Sequence, residues 1–162
     1  MKHLLLILSI FLLTFPPAVY SSQSRVALVI GNGAYRDAPL RNPVNDAKTM
    51  GKILKNAGFS VDILLNKNRR ELVDAIRIFG NKLRKSDAAL FYFSGHGLQY
   101  DGRNWLIPIG ADISREKEIE FEGLNVERIL YEMEGGSVGR VNIIIFDACR
   151  TNPTFRSFRS FN

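Results

Sequence analysis

Two residue types in this chain are suited to nucleophilic chemistry, and both are scarce. There is one cysteine, Cys149, which closes the run IIIFDAC, and there are two histidines, His3 and His96. His96 lies in SGHG, directly after the apolar run AALFYF. A thiol attacks only as its thiolate, and a free cysteine is mostly protonated at neutral pH. A nearby imidazole takes that proton and later donates one to a leaving amine. Acyl transfer also needs N–H groups aimed at the developing oxyanion. Glycines flank His96 on both sides, so main chain can approach a substrate there. The amides of Gly97 and Cys149 are the candidate donors.

Taken singly, each residue has a plain structural explanation, since a lone cysteine is most often a small buried hydrophobe. Their placement argues for more. Each follows a short apolar run that reads as a strand, and ligands of an open parallel sheet gather outside the carboxyl ends of its strands. If the two strands are parallel neighbours, about 4.8 Å apart, imidazole and thiol meet at one rim.

The elements that must position the pair alternate along the chain. RVALVIGN (25–32) reads as a first strand. VNDAKTMGKILKNAGF carries Val44, Ala47, Met50, Ile53, Leu54 and Ala57 on one helical face, with Pro43 near its start and Gly58 as a stop. FSVDILLN is a second strand. RRELVDAIRIFGNKLRK repeats the helical pattern with Leu72, Val73, Ile76, Phe79 and Leu83. AALFYFSGHG is a third strand, NVERILYEME a short helix, and VNIIIFDACR a fourth strand. Between the third strand and the last helix, Asp101-Gly102 separates LQY from NWLIP, the signature of a hairpin. Strands alternating with helices predict an α/β fold: three layers, αβα, around a mostly parallel sheet whose apolar strands are covered on both faces. No internal repeat or linker is evident, so one domain is expected over residues 23–162.

The opening residues are set apart. Lys2 and His3 precede an apolar run from Leu4 to Phe15, which Pro16 and Pro17 break. This pattern reads as a secretory signal peptide over residues 1–22, with cleavage near Ser21 or Ser22 and a secreted or periplasmic product. The apolar run is short of the roughly 20 residues of a spanning helix. Export would leave His96 as the single histidine beside the single cysteine, and one cysteine forms no internal disulfide. The net charge of +6 is dispersed along the chain, and basic-aromatic interleaving occurs only in the terminal FRSFRSFN. Without a groove-entering motif or stacking platform, no nucleic-acid partner is expected. A dinucleotide site is disfavoured too: GNGAYR lacks the third glycine of GxGxxG, and no acidic residue ends the second strand.

SGHG after one apolar strand and DACR after another, about fifty residues on, resemble the caspase and metacaspase family. ALVIGNGAY is similar to the first strand and loop of bacterial caspase-like proteins. LRNPVNDAKTMGKILKNAGFSVDILLN resembles the helix and second strand that follow. The resemblance covers Arg25 to about Arg150. It implies a catalytic dyad, with His96 as acid and base and Cys149 as nucleophile, and the Gly97 and Cys149 amides as oxyanion hole. Caspases cut after aspartate and hold it with arginines, whereas metacaspases cut after arginine or lysine and use acidic residues. DACR resembles the metacaspase Asp-Ser-Cys pattern. The resemblance thus places Asp147, Asp46 and Ser94 in a substrate pocket that favours a basic residue before the cut, arginine bidentately. A competing reading leaves Asp46 as an ordinary early-helix carboxylate.

Caspase-like domains continue with two more strands, which implies a sheet lacking its last two strands, completed by a further C-terminal segment or a partner chain. The segment after the cysteine is often a processing loop, which draws attention to Arg156 and Arg159. No cofactor is expected. Some metacaspases depend on calcium, but no acidic cluster here resembles a calcium loop. The alternative to a peptidase is an inactive caspase-like binding module that docks a partner strand on its sheet edge.

Overall fold

Strand β1 (Arg25–Gly31) is buried along nearly its whole length and forms the middle of the sheet. It pairs in parallel with β2 (Phe59–Leu65) on one side and with β3 (Ala88–Tyr100) on the other. Strand β6 (Val141–Cys149) pairs in parallel with the far edge of β3. The chain is seen here in a computed structural model that describes residues 23–135 and 139–149. The expected signal peptide, the terminal FRSFRSFN and the positions Arg156 and Arg159 lie outside those residues.

Helix α1 (Pro43–Asn56) joins β1 to β2, and α2 (Arg69–Leu83) joins β2 to β3. They cover opposite faces. On one, Ala47 and Leu54 of α1 meet Ala27, Val29, Leu90 and Tyr92. On the other, Leu72, Ile76, Phe79 and Leu83 of α2 meet Leu28, Ile30, Phe91 and Phe93. Odd and even positions of β3 therefore serve different layers, as a period of two requires. Ile129 and Met133 of α4 (Val126–Glu134) join the second layer. The three-layer αβα expectation holds, around a mixed sheet of six strands among the described residues.

Local chemistry explains the helix starts. Asn68 accepts the Glu71 amide while the Glu71 carboxylate accepts the Asn68 amide, a capping box at the head of α2. Pro43 opens α1, where its missing N–H costs nothing. Asn125 accepts the Glu127 amide at the start of α4.

The third strand departs from its expected form. AALFYFSGHG and LQY are one continuous β3, thirteen residues long. Its first nine residues pair with β6, and Gly97 to Tyr100 pair antiparallel with β4 (Arg103–Leu106). The predicted hairpin is present: Asp101 and Gly102 have φ of 50° and 70°, the paired left-handed conformation of a type I′ turn. β4 stops at Leu106 rather than running through Pro108, which has no N–H for the ladder. Three elements carried no clear sequence pattern: a 3-10 turn (Glu116–Glu118), α3 (Ile119–Glu122) and the two-residue β5 (Leu124–Asn125).

β6 also differs from expectation. Its apolar run predicted cover on both faces, yet Val141, Ile143 and Phe146 are exposed. Among the described residues its only strand partner is β3. No helix among them is long and apolar enough to cross a membrane.

Candidate active site

The register of β3 and β6 ends on three aligned pairs: Ser94 with Asp147, Gly95 with Ala148, and His96 with Cys149. In a parallel ladder, aligned positions occupy the same face of the sheet about 4.8 Å apart. The main chain thus brings position 149 level with His96 at the carboxyl rim. The strand order β2-β1-β3 reverses direction between β1 and β3, the kind of switch point beside which α/β sheets bind ligands.

His96 is 5% exposed. Its Nε2 lies 2.7 Å from the Ala38 carbonyl oxygen. That oxygen can only accept, so Nε2 carries a ring proton, and in the neutral imidazole Nδ1 is then the nitrogen with the lone pair. Nδ1 is buried and has no hydrogen-bond partner among the described residues. A buried polar atom left unpaired is costly, so Nδ1 is poised to take a proton from a group brought to it.

The main chain of His96 is held as well. Its N–H donates to the Tyr35 hydroxyl at 3.0 Å, and that hydroxyl donates to the Ile107 carbonyl at 2.9 Å. The Tyr35 and His96 rings lie 4.4 Å apart and tilted. Burial pushes the Tyr35 phenol well above its ordinary value; hydrogen bonds from the His96 amide and Asn32 oppose this without overcoming it.

The two glycines beside His96 answer first to packing. A Cβ on Gly95 would lie 2.7 Å from the Tyr35 oxygen and 2.8 Å from the Phe93 ring. A Cβ on Gly97 would lie 3.0 Å from the Ala148 Cβ. Gly97 pairs with Leu106 of β4, next to the aligned His96 and Cys149.

A cavity lies at the same rim. It is lined by Arg41, Pro43, Asp46, Ser94, Gly95 and Asp147, together with neighbouring loop atoms. Asp46 reaches it from the first turn of α1, Ser94 from β3 and Asp147 from β6. The three residues grouped by sequence resemblance therefore share one pocket. The buried Tyr92 hydroxyl donates to the Asp147 carboxylate at 3.4 Å. Burial raises the Tyr92 phenol; its bond with Ser94 lowers it, and the carboxylates of Asp147 and Asp46 raise it further. It stays a neutral donor beneath the acidic pair. Gly31 makes this arrangement possible, because a side chain there would strike the Pro43 carbonyl and Ala47 and push α1 away from the sheet.

Sequence reasoning missed Tyr35, Ala38, Arg41 and Tyr92. Ala38 acts through its carbonyl, which no side-chain pattern reveals. Tyr35 stood inside the quoted GNGAYR stretch, without a signal to distinguish it from a core aromatic.

The GNG loop is fastened to the loop after β2. Asn32 is fully buried, and its side chain donates to the Lys67 carbonyl while accepting the Lys67 amide. Asn66, at φ 52°, accepts the amides of both Gly33 and Ala34. Those amides are engaged by a side chain rather than presented to a phosphate. Among the described residues, no group of three or more histidine, cysteine, aspartate or glutamate side chains is placed to hold a metal ion.

Comparison with known proteins agrees with this geometry. The caspase domain, peptidase family C14, matches residues 24–159. The human mucosa-associated lymphoid tissue lymphoma translocation protein 1 is 30% identical over 80% of this chain. Its mouse homologue is 29% identical over the same share. The chain spans 15% of the length of each of these relatives. Among solved structures, a protein from Geobacter sulfurreducens superposes with a TM-score of 0.63 at 20% identity, covering 85% of this chain and 63% of that one. The Drosophila initiator caspase Dronc superposes at 0.59 and 12% identity, covering 84% of this chain and 56% of that one.

Proposed function

The chain belongs to the caspase-domain family of cysteine peptidases, and from that premise we propose that it hydrolyses peptide bonds through a His96–Cys149 dyad, cutting after arginine or lysine. The observation that carries this reading is the main-chain alignment of Cys149 with His96, whose buried Nδ1 has no hydrogen-bond partner among the described residues.

In the proposed mechanism Nδ1 of His96 takes the thiol proton, and the Ala38 carbonyl stabilises the imidazolium through Nε2–H. The thiolate adds to the scissile carbonyl carbon, whose oxygen takes up the electron pair. The amides of Gly97 and Cys149 are assigned to that oxyanion. Collapse of the adduct breaks the C–N bond, and the imidazolium returns its proton to the departing amine. Water, deprotonated by Nδ1, then cleaves the thioester and restores the thiol.

The carboxylates of Asp46 and Asp147 support the choice of a basic residue, since a guanidinium can bond both. Arg41 on the same pocket supplies the opposing charge, so aspartyl peptides are the informative control. Extended and 162-residue forms should be assayed with arginyl, lysyl and aspartyl peptides. Turnover of the basic peptides, abolished by Cys149→Ala and by His96→Ala, is expected. Preferred cleavage after aspartate would overturn the pocket assignment, and turnover that survives Cys149→Ala would overturn the dyad.

The exposed β6 residues favour a second reading, an inactive module that docks a partner strand. A thiol probe separates the two: a catalytic Cys149 labels fast and depends on His96, whereas a structural thiol labels only after denaturation. The leader-like residues 1–22 support export, which N-terminal sequencing of the mature protein tests.

A further inference from the structure

Gly97 and Leu106 are opposite each other in the β3–β4 ladder, so His96 and Ile107 are the next opposed pair. A regular antiparallel pair of this kind exchanges two direct N–H···O bonds. Here only one is direct, from the Ile107 amide to the His96 carbonyl at 2.9 Å. The other runs through a side chain: His96 N–H to the Tyr35 oxygen at 3.0 Å, then Tyr35 O–H to the Ile107 carbonyl at 2.9 Å. A phenol from the loop after β1 is wedged into the ladder at the residue that carries the imidazole. Gly95 makes room for the phenol oxygen, which a Cβ there would meet at 2.7 Å. The phenol ring then lies against the His96 ring, 4.4 Å between centroids. Two residues further along the same loop segment, Asp37 is followed by Ala38, whose carbonyl fixes Nε2. One short segment thus sets the backbone, the ring plane and the tautomer of His96.

We propose that Tyr35 is a positioning residue for the His96 base, its hydroxyl fixing the main chain through the β3–β4 wedge and its ring fixing the imidazole against the Ala38 carbonyl. The proposal deepens the peptidase reading and rests on His96 acting as the base. Tyr35 itself touches no reacting atom. Without the hydroxyl, the His96 amide and the Ile107 carbonyl lose their shared partner, and β3 shifts to satisfy them directly. The ring then leaves its bond with Ala38, and the proton-bearing nitrogen is no longer fixed.

The test is Tyr35→Phe, which keeps the ring and deletes only the oxygen. Displacing a reacting group by about 1 Å can cost about 100-fold, so the loss of this one support should lower kcat about 10-fold. KM for an arginyl peptide should be unchanged, because the acidic pocket is untouched. Imidazole ¹⁵N spectra, with the His96 signal identified by its loss in His96→Gln, should show a single Nε2–H form in the parent protein and a mixture of neutral tautomers in Tyr35→Phe. A variant that melts earlier but keeps the parent kcat and the single Nε2–H form would overturn the proposal and leave Tyr35 a purely structural residue. If Tyr35→Phe does not fold, Gly95→Ala keeps the phenol and displaces its oxygen; an unchanged Nε2–H signature there would also overturn it. If the parent protein cleaves no peptide, the peptidase reading fails by itself, and the ¹⁵N spectra still decide whether Tyr35 orients His96.

Discussion

Neutralising the acidic pocket is the sharpest test of substrate choice. Asp46→Asn and Asp147→Asn preserve shape and remove one negative charge each. Asp147 faces solvent and Asp46 is half-buried. A hydrogen bond to a charged group contributes about 1.5–3 kcal/mol, while a fully solvated ion pair contributes at most about 1 kcal/mol. The open pocket falls between these, so each carboxylate should contribute about 1–2 kcal/mol to binding an arginine side chain in the transition state. That corresponds to a fall of about 5–30-fold in kcat/KM for each single variant. The two carboxylates would share one guanidinium, so the double variant should fall short of the product of the two effects. The assay compares peptides with arginine and with norleucine before the cut. Norleucine carries no charge, so its turnover should change little, and the ratio of the two substrates isolates the electrostatic part. An arginine-to-norleucine ratio that stays constant through all three variants would refute the reasoning, whatever happens to overall activity.

Other consequences can be measured without a substrate. The Lys67 ammonium first, and the Asn68 amide next, hold the Glu71 carboxyl below the ordinary range. It therefore stabilises the fold above the unfolded glutamate value of about 4.3 and loses that contribution as pH falls through its lower folded value. Thermal melts of Glu71→Gln should show a shallower acid limb than the parent, and identical limbs would count against the capping box. Phe91→Ala empties a fully buried site between the sheet and its helical cover and should cost about 3–5 kcal/mol in urea unfolding. Asn66→Gly tolerates the positive φ but removes the acceptor of two amides; it should lose about 1–3 kcal/mol, and a neutral result would show that only the backbone conformation matters there.

The layer order was legible because the apolar periods were clean. The faces of VNDAKTMGKILKN and RRELVDAIRIF specify helices, and short runs of valine, leucine and isoleucine specify strands between them. What could not be read locally was pairing that depends on distant segments. β5 has two residues and exists because Trp105 and Leu106 of β4 offer it a ladder. β3 and LQY appeared separable because SGHG interrupts the apolar pattern, yet Gly95 and Gly97 keep strand geometry and serve close packing. The grouping of the candidate site was legible at His96, Asp46, Ser94 and Asp147, which the structure gathers at one rim. It was illegible where a carbonyl does the holding, as at Ala38, or where a tyrosine replaces a ladder bond.

The length of β3 has a further consequence. A single unbroken strand belongs to two ladders, parallel on one stretch and antiparallel on the next, and His96 stands at their seam. Slipping the short hairpin by one position would turn its side chains to the opposite face and drag the seam with it. Lengthening the Asp101–Gly102 turn without moving the register should therefore be harmless, whereas a single residue inserted between Gly97 and Tyr100 should shift β4 and break the Ile107–His96 bond even in a protein that still folds. The histidine thus inherits its place from two registers at once, so mutational tolerance should change abruptly within four residues of it.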